Sequence, residues 1–315
     1  MSEPRLSVIV PNYNHAACLP RSLNALLAQS VPPAEIIVID DASTDHSRDV
    51  LQAFAAQHPL LRVCANERNL GVHRTMNRGL ELARCDYVFF SAADDEVRPG
   101  LFEHSLRLLR AHPEAGLSSG LCEWRDGQTG TSWVMGTEMP NQPCYLSPAD
   151  MVALGRRRRL IISAPTAVFK KSALVAAGGW IPELRWFCDF FGSYVIGFRH
   201  GMCHVPEVLA NFNLNPASYY NTAKSGAERR QVMERVLQLL ASDRFADVAP
   251  RLGASGLLGS FGWPMVRLMA GSKAHRPFLT GALLRWALWR SAAGAGRRML
   301  PDWLARMCVK ILYRR

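Results

Sequence analysis

Two periods of hydrophobicity alternate over the first ninety or so positions. The run Leu6-Ser-Val-Ile-Val-Pro-Asn-Tyr-Asn14 reads as a buried strand that ends in a loop containing Pro and Asn. Leu19, Leu23, Leu26 and Leu27 then recur at helical spacing, and Glu35 to Asp40 is a second apolar run. Ser43, Thr44 and Asp45 can cap a helix carrying Val50, Leu51 and Phe54. Leu61 to Ala65 predicts a third strand, Val72 to Ala83 another helix, and Asp86 to Ser91 a fourth strand running straight into Asp94 and Asp95. Strands that alternate with helices in this way imply a parallel sheet covered on both faces.

Past about residue 115 the pattern loosens. An apolar stretch covers Ala115 to Cys122, a Gly/Thr-rich turn covers Asp126 to Thr131, and a short helix starts at Ser147 with Pro148 in its first position. Ala164 to Phe169 reads as a strand, Cys188 to His200 as a Phe-rich helix, and Ser225 to Ala241 as an amphipathic helix. The expected organisation is a catalytic domain over 1–223, divided into a ligand-binding half (1–115) and an acceptor half (116–223), followed by a helical extension over 224–315.

In an open parallel sheet, ligands bind just beyond the carboxyl ends of the strands, where loop amides and helix N-termini converge. Three such ends carry Tyr13, the pair Asp40 and Asp41, and the pair Asp94 and Asp95. No G-x-G-x-x-G and no G-x-x-x-x-G-K-[ST] follows the first strand, so a bound nucleotide is held by other means.

Charge changes the picture at one end of the chain. The formal net charge is +11, and from Arg251 onward twelve Lys or Arg face a single acid, Asp302, so the body is neutral and the tail is basic. Half of the eight tryptophans (Trp263, Trp286, Trp289, Trp303) lie in that tail. A basic, Trp-bearing segment suits an anionic membrane surface, and a neutral body argues against nucleic acid. The N-terminus lacks the basic-then-apolar pattern of a signal peptide, no apolar run reaches the roughly 18 to 20 residues of a spanning helix, and the cysteines show no zinc spacing. The expected location is cytoplasmic, peripheral on the inner face of the cell membrane.

Four blocks, in this order, resemble the family-2 glycosyltransferases of the GT-A fold: Ser7-Val-Ile-Val-Pro-Asn-Tyr-Asn14, Ile36-Ile-Val-Ile-Asp-Asp-Ala-Ser-Thr-Asp45, Asn69-Leu-Gly-Val-His-Arg-Thr-Met-Asn-Arg-Gly79 and Phe89-Phe-Ser-Ala-Ala-Asp-Asp-Glu-Val-Arg-Pro-Gly100. The resemblance implies a Rossmann-like α/β fold, a mixed and mainly parallel sheet flanked by helices. It also implies an inverting enzyme that moves a sugar from a nucleoside diphosphate sugar, UDP favoured, to a hydroxyl of a glycan or lipid-linked acceptor in lipopolysaccharide, capsule or exopolysaccharide assembly. The alternative is a catalytically silent domain of the same fold that binds a nucleotide sugar or glycan.

On this resemblance Pro11 and Tyr13 pack on the base, Asp40 and Asp41 read the nucleoside, and Arg74 and Asn77 face the diphosphate or donor sugar. Asp94 and Asp95 hold Mg²⁺ or Mn²⁺, with Asp94 also on the nucleotide, because hard oxygens bridging a cation to a diphosphate ease its departure. The family writes Asp-x-Asp-Asp where this chain has Ala92-Ala-Asp-Asp95, with Glu96 as a substitute ligand. Inversion needs a base, and the matching stretch Leu184-Arg-Trp-Phe-Cys-Asp-Phe-Phe191 supplies Asp189, the only acid between Glu183 and Glu207. Asn213 to Ser218 stands where relatives carry a basic loop near the diphosphate. Arg156 to Arg159 could meet diphosphate or an acidic lipid, or form a solvated charge run.

Overall fold

The computed structural model describes residues 5–214 and 226–299, with side chains through residue 292. Most of the expected diphosphate loop, from Asn215 through Ser218, and the end of the tail with Trp303 lie outside the described residues.

The first half folds as its periodicity predicts. β1 (Leu6–Asn12), β2 (Glu35–Asp40), β3 (Leu61–Ala65) and β4 (Tyr87–Phe90) lie in the order β3-β2-β1-β4, all parallel. α1 (Leu19–Leu27), α2 (Ser47–Gln57) and α3 (Val72–Leu82) connect them. The strands are apolar at successive positions because both faces are covered. Val8 and Val10 of β1 face one layer with Leu19, Leu23 and Phe102, while Ile9 faces the other with Ile37, Ile39 and Val88. α3 lies so close on β1 that a Cβ at Gly79 would sit 2.3 Å from a methyl of Ile9.

The second half adds antiparallel pairing. β5 (Glu96–Val97) and α4 (Leu101–Ala111) are followed by β6 (Leu117–Asp126), β7 (Thr131–Met135), β8 (Cys144–Leu146) and α5 (Pro148–Arg156), the last capped by Ser147 and Asp150. β9 (Val168–Lys170), α6 (Lys171–Ala176), α7 (Cys188–His200) and β10 (Met202–Leu214) complete the sheet, which runs β3-β2-β1-β4-β9-β6-β10-β5 with β7 on β6 and β8 on β10. Two expectations shift. The strand expected from Ala164 begins only at Val168, because Pro165 removes a donor and Ala164–Thr166 turn as a 3₁₀ helix, with the Thr166 hydroxyl tied to Gly120. α2 starts at Ser47, and Asp45 acts just ahead of it by accepting from the Ser47 amide at 2.9 Å.

α8 (Gly226–Leu240), α9 (Ala249–Ser255), α10 (Trp263–Gly271) and α11 (Gly281–Met299) follow. Met265, Met269, Phe278 and Leu283 belong to the same buried cluster as Ile9 and Phe169. The Trp286 indole donates to the Gly155 carbonyl at 3.2 Å, and the Arg158 guanidinium lies 4.7 Å over the Trp289 ring. The basic, Trp-bearing helices are thus packed into the body's core. Among the described residues no helix is long and apolar enough to cross a membrane.

Candidate active site

Strand direction brings the candidate residues to one edge of the sheet. β9 is antiparallel to both β4 and β6, and β10 is parallel to β6, so β1, β2, β4, β6 and β10 all end on the same side. Only Gly201 separates α7 from β10, so α7 runs back along the sheet and lifts its first turn, with Asp189, toward that edge. A thirteen-residue helix climbs about 20 Å, roughly the height of a six-residue strand.

The loops after β1 and β2 are zipped together. The Asn14 amide donates to Ser43 Oγ at 2.9 Å, Asn14 Oδ1 accepts from the Thr44 amide at 2.8 Å, and the Ala16 amide donates to Asp45 at 3.0 Å. Asn14 and Ala42 both have positive φ, 56° and 61°, a conformation that costs a side-chain-bearing residue about 1–2 kcal/mol and is held here by those bonds. Asp40 is buried. It accepts from Asn12 Nδ2 at 2.9 Å, the Ser43 amide at 3.2 Å and Arg48 Nε at 3.0 Å. Burial opposes its charge, but these bonds prevail and hold its carboxyl below the ordinary value. Asp41, also buried, accepts from Asn66 Nδ2 at 2.6 Å and from the amides of Leu70 and Gly71 at 2.8 and 2.9 Å, which anchors the entry to α3.

Asp94 and Asp95 stand in the turn between β4 and β5. Arg21 Nη2 and Asn213 Nδ2 both donate to the Asp94 carbonyl, at 2.9 and 3.0 Å, and the Asn213 amide reaches Asp95 Oδ1 at 3.2 Å. Ser22 Oγ donates to the Ala92 carbonyl at 3.2 Å. Asp95 is 7% exposed while Asp94 is half-buried. Burial first, and the neighbouring charge of Asp94 second, push the Asp95 carboxyl up to about 8, with the Asn213 amide and Arg21 pulling the other way. A buried acid beside a second acid is an electrostatic deficit that a cation would relieve, and hard carboxylate oxygens suit Mg²⁺ or Mn²⁺. Among the described residues no three of His, Cys, Asp or Glu gather at one point.

The remaining predicted residues divide. Pro11 lies in β1 just beyond the last β1–β4 pair, Ile9 with Phe90, where its missing N–H interrupts no ladder. Tyr13 is 42% exposed at the strand end, a ring open to a partner. Arg74 is exposed in the first turn of α3, and Glu96, in β5, pairs with Asn211. Asn77 departs from its expected place: its Nδ2 donates to the Trp180 carbonyl at 2.7 Å and its Oδ1 accepts from the Trp180 amide at 2.8 Å, so the amide is committed to holding the chain upstream of α7. Of the arginine run, Arg156 Nε donates to the Ala254 carbonyl at 3.0 Å and Arg159 pairs with Glu138 at 3.6 Å, so these two join α5 to its neighbours. Asp189 stands in the first turn of α7. Its Oδ1 accepts from the Phe190 amide at 2.8 Å, and burial raises its carboxyl above the ordinary range. Just upstream, Arg185 holds a left-handed φ of 49° and pairs with Glu228 of α8.

Four residues that organise this edge were not singled out from sequence as doing so: Arg21, Asn12, Asn66 and, through its own bonds, Asn213. The available signal was an Asn at or just past a strand end facing an Asp pair.

The model of the family described as Glycosyl transferase family 2 matches residues 7–168, just over half of the 315-residue chain. The chain belongs to glycosyl transferase family 2. Among relatives of this family-2 chain, the uncharacterized glycosyltransferase YibD of Escherichia coli K12 is 33% identical over 60% of this chain, a match spanning 57% of that protein's own length. The putative teichuronic acid biosynthesis glycosyltransferase TuaG of Bacillus subtilis is 35% identical over 34% of this chain and 42% of its own. Two solved structures share the GT-A fold. S. aureus TarS 1-349 in complex with UDP-GlcNAc has a TM-score of 0.63 at 17% identity, over 84% of this chain and 83% of that one. The mannosyltransferase PcManGT of Pyrobaculum calidifontis, in complex with GDP-Man and Mn²⁺, has a TM-score of 0.60 at 20% identity, over 99% and 86%.

Proposed function

We propose that this glycosyltransferase moves a sugar, with inversion, from a nucleoside diphosphate sugar to a hydroxyl on a cell-envelope glycan or lipid-linked acceptor. The observation that carries this reading is the buried Asp95 beside Asp94, whose carboxyl is pushed up to about 8 at a shared strand edge. Asp94 and Asp95 would hold Mg²⁺ or Mn²⁺, which when bound neutralises the departing diphosphate. Tyr13 and the zipped loops behind it offer a ring and a rigid floor for the nucleoside. Asp40 and Asp41 keep that floor in shape through bonds to Asn12, Ser43, Asn66 and Gly71. Asp189, with its carboxyl raised by burial, is our candidate for the base that takes the proton of the attacking hydroxyl. The relatives whose names concern teichuronic acid and whose structures hold UDP-GlcNAc or GDP-Man support the substrate class.

Calorimetric titration with UDP, GDP and dTDP, each with and without Mn²⁺, tests this. Metal-dependent binding of one nucleotide, UDP by our reading, is the expected result. No binding to any of the three would leave the silent-scaffold reading in its place.

The same reading puts the enzyme on an anionic membrane surface. Trp263, Leu284 and Leu288 are 40%, 37% and 55% exposed, beside exposed Arg267, Lys273, Arg285 and Arg290. No acid occurs between Asp247 and Asp302 in the sequence, so nothing within that stretch offsets the cations. Each cation near such a surface contributes about 1 kcal/mol. Because α10 and α11 share the core, the test is substitution rather than deletion. L284E with L288E is expected to abolish co-flotation with phosphatidylglycerol-containing vesicles while thermal unfolding stays unchanged, and undiminished flotation would refute the docking face.

A further inference from the structure

Three aromatic side chains form a row across adjacent strands in the second half of the sheet. Trp124 of β6 lies directly opposite Trp133 of β7 on one side and Phe212 of β10 on the other. The ring centroids are 6.0 Å apart for Trp124–Trp133 and 4.6 Å apart for Trp124–Phe212, tilted by 31° and 46°. All three residues are partly exposed. Directly paired residues point to the same face of a sheet, so the rings make one continuous strip. The other face of these strands is polar and paired with itself: Arg98 bonds both Glu123 and Asn211, and Arg125 Nη2 donates to Glu123 at 2.9 Å.

The strip borders the acidic pair. Asn213, the residue after Phe212, donates its backbone amide to Asp95, and the β5–β10 register continued one residue beyond Glu96–Asn211 sets Asp95 opposite Phe212. Cys122, two residues before Trp124 and so on the same face, feels the charge of Asp95 after the larger effect of its own burial. In the strand order the loops of Tyr13, Asp40 and Asp41 follow β1 and β2, while β6, β10 and β5, into which Asp94 and Asp95 lead, lie beyond β4 and β9.

We infer that Trp133, Trp124 and Phe212 are an acceptor subsite, on which the apolar faces of pyranose rings stack beside the donor site that Asp94 and Asp95 mark. This rests on the glycosyl-transfer reading above and names the acceptor as an oligosaccharide. A pyranose face presents axial C–H hydrogens of slight positive charge, which complement the negative face of an indole or phenyl ring. Two inter-strand steps of about 4.8 Å make the strip about 10 Å long, room for two consecutive sugars. A strip of that length favours a glycan chain end over a small alcohol.

Trp133 is on a strand at the margin of the sheet, so Trp133→Ala and Trp133→Phe are the variants of choice. The assay measures sugar transfer from the donor identified by titration to the glycan-bearing envelope fraction of the source cells, with donor hydrolysis in the absence of acceptor as the control. W133A is expected to need about tenfold more acceptor for half-maximal rate, the loss of one stacking contact, with donor half-saturation and hydrolysis unchanged and W133F close to the parent. An unaltered acceptor dependence in W133A overturns the inference. A shift in the donor's half-saturation also overturns it and assigns the strip to the nucleotide. Absence of transfer and hydrolysis in the parent chain overturns the glycosyl-transfer reading itself, a failure visible before any variant is compared.

Discussion

Replacing Asp189 by Asn is expected to lower kcat by about 100- to 10,000-fold, the range that loss of a positioned general base produces, while nucleotide affinity stays within twofold of the parent, about 0.4 kcal/mol. The side chain keeps its size and its Oδ1, which can still accept from the Phe190 amide, so the first turn of α7 has no reason to move. Burial raises the Asp189 carboxyl from an ordinary value of 3.8, and a base works only when deprotonated. The acid limb of the kcat profile should therefore lie above the usual carboxylate range, with activity falling as pH drops through it. The stability effect has the opposite sense. An acid whose folded value is raised contributes stability that is fully present below 3.8 and is lost as pH rises through the folded value. D189N removes that loss, so the inactive variant should unfold at the same temperature as the parent at neutral pH, or a little above it. A variant that turns over at the parental rate, or one whose inactivity tracks a lower unfolding temperature, would take the role of base away from Asp189.

The second large effect is expected at Asp95. Asp95→Asn keeps the shape and the bond from the Asn213 amide but removes the charge that Asp94 opposes. If this carboxylate contacts a divalent cation, the substitution should abolish the Mn²⁺-dependent increment in nucleotide binding and lower kcat/KM by on the order of a thousandfold, corresponding to about 4 kcal/mol of charge stabilisation. The measurement is the same titration with and without Mn²⁺, and the increment should be small in the variant at every metal concentration. An undiminished increment would move the cation to Asp94 and Glu96.

The sequence carried the parallel half of the fold almost to the residue. Fully apolar runs closed by Asp or Asn leave no other place for strands that are covered on both faces, and the helices between them show their buried stripe through Leu19, Leu23 and Leu26. A carboxylate that ends an apolar strand needs either the cleft or partners, and the structure gives Asp40, Asp41 and Asp95 partners, burying them against Asn12, Asn66 and the Asn213 amide. What could not be read were partners far apart in the chain. Asn77 meets Trp180 across 103 positions, so its helical neighbours gave no hint that its amide is committed. The aromatic strip joins residues from 124 to 212, and neither tryptophan stands out where it occurs. The basic helices carry a second message beside their arginines and tryptophans: Met265, Met269 and Leu283 lie among them and join the core of the body.

That shared core sets a limit on recombination. A chimera that exchanged everything after α8 for the corresponding part of a relative, in search of a new acceptor or a new site of attachment, would cut through one apolar cluster rather than between two. Gly259 shows how tight the seam is, since a Cβ there would meet the Cβ of Trp286 at 2.4 Å. α5, α9 and α11 would have to be inherited as a block. Grafting has more freedom at β7, which among the described strands pairs with β6 alone and carries one ring of the strip.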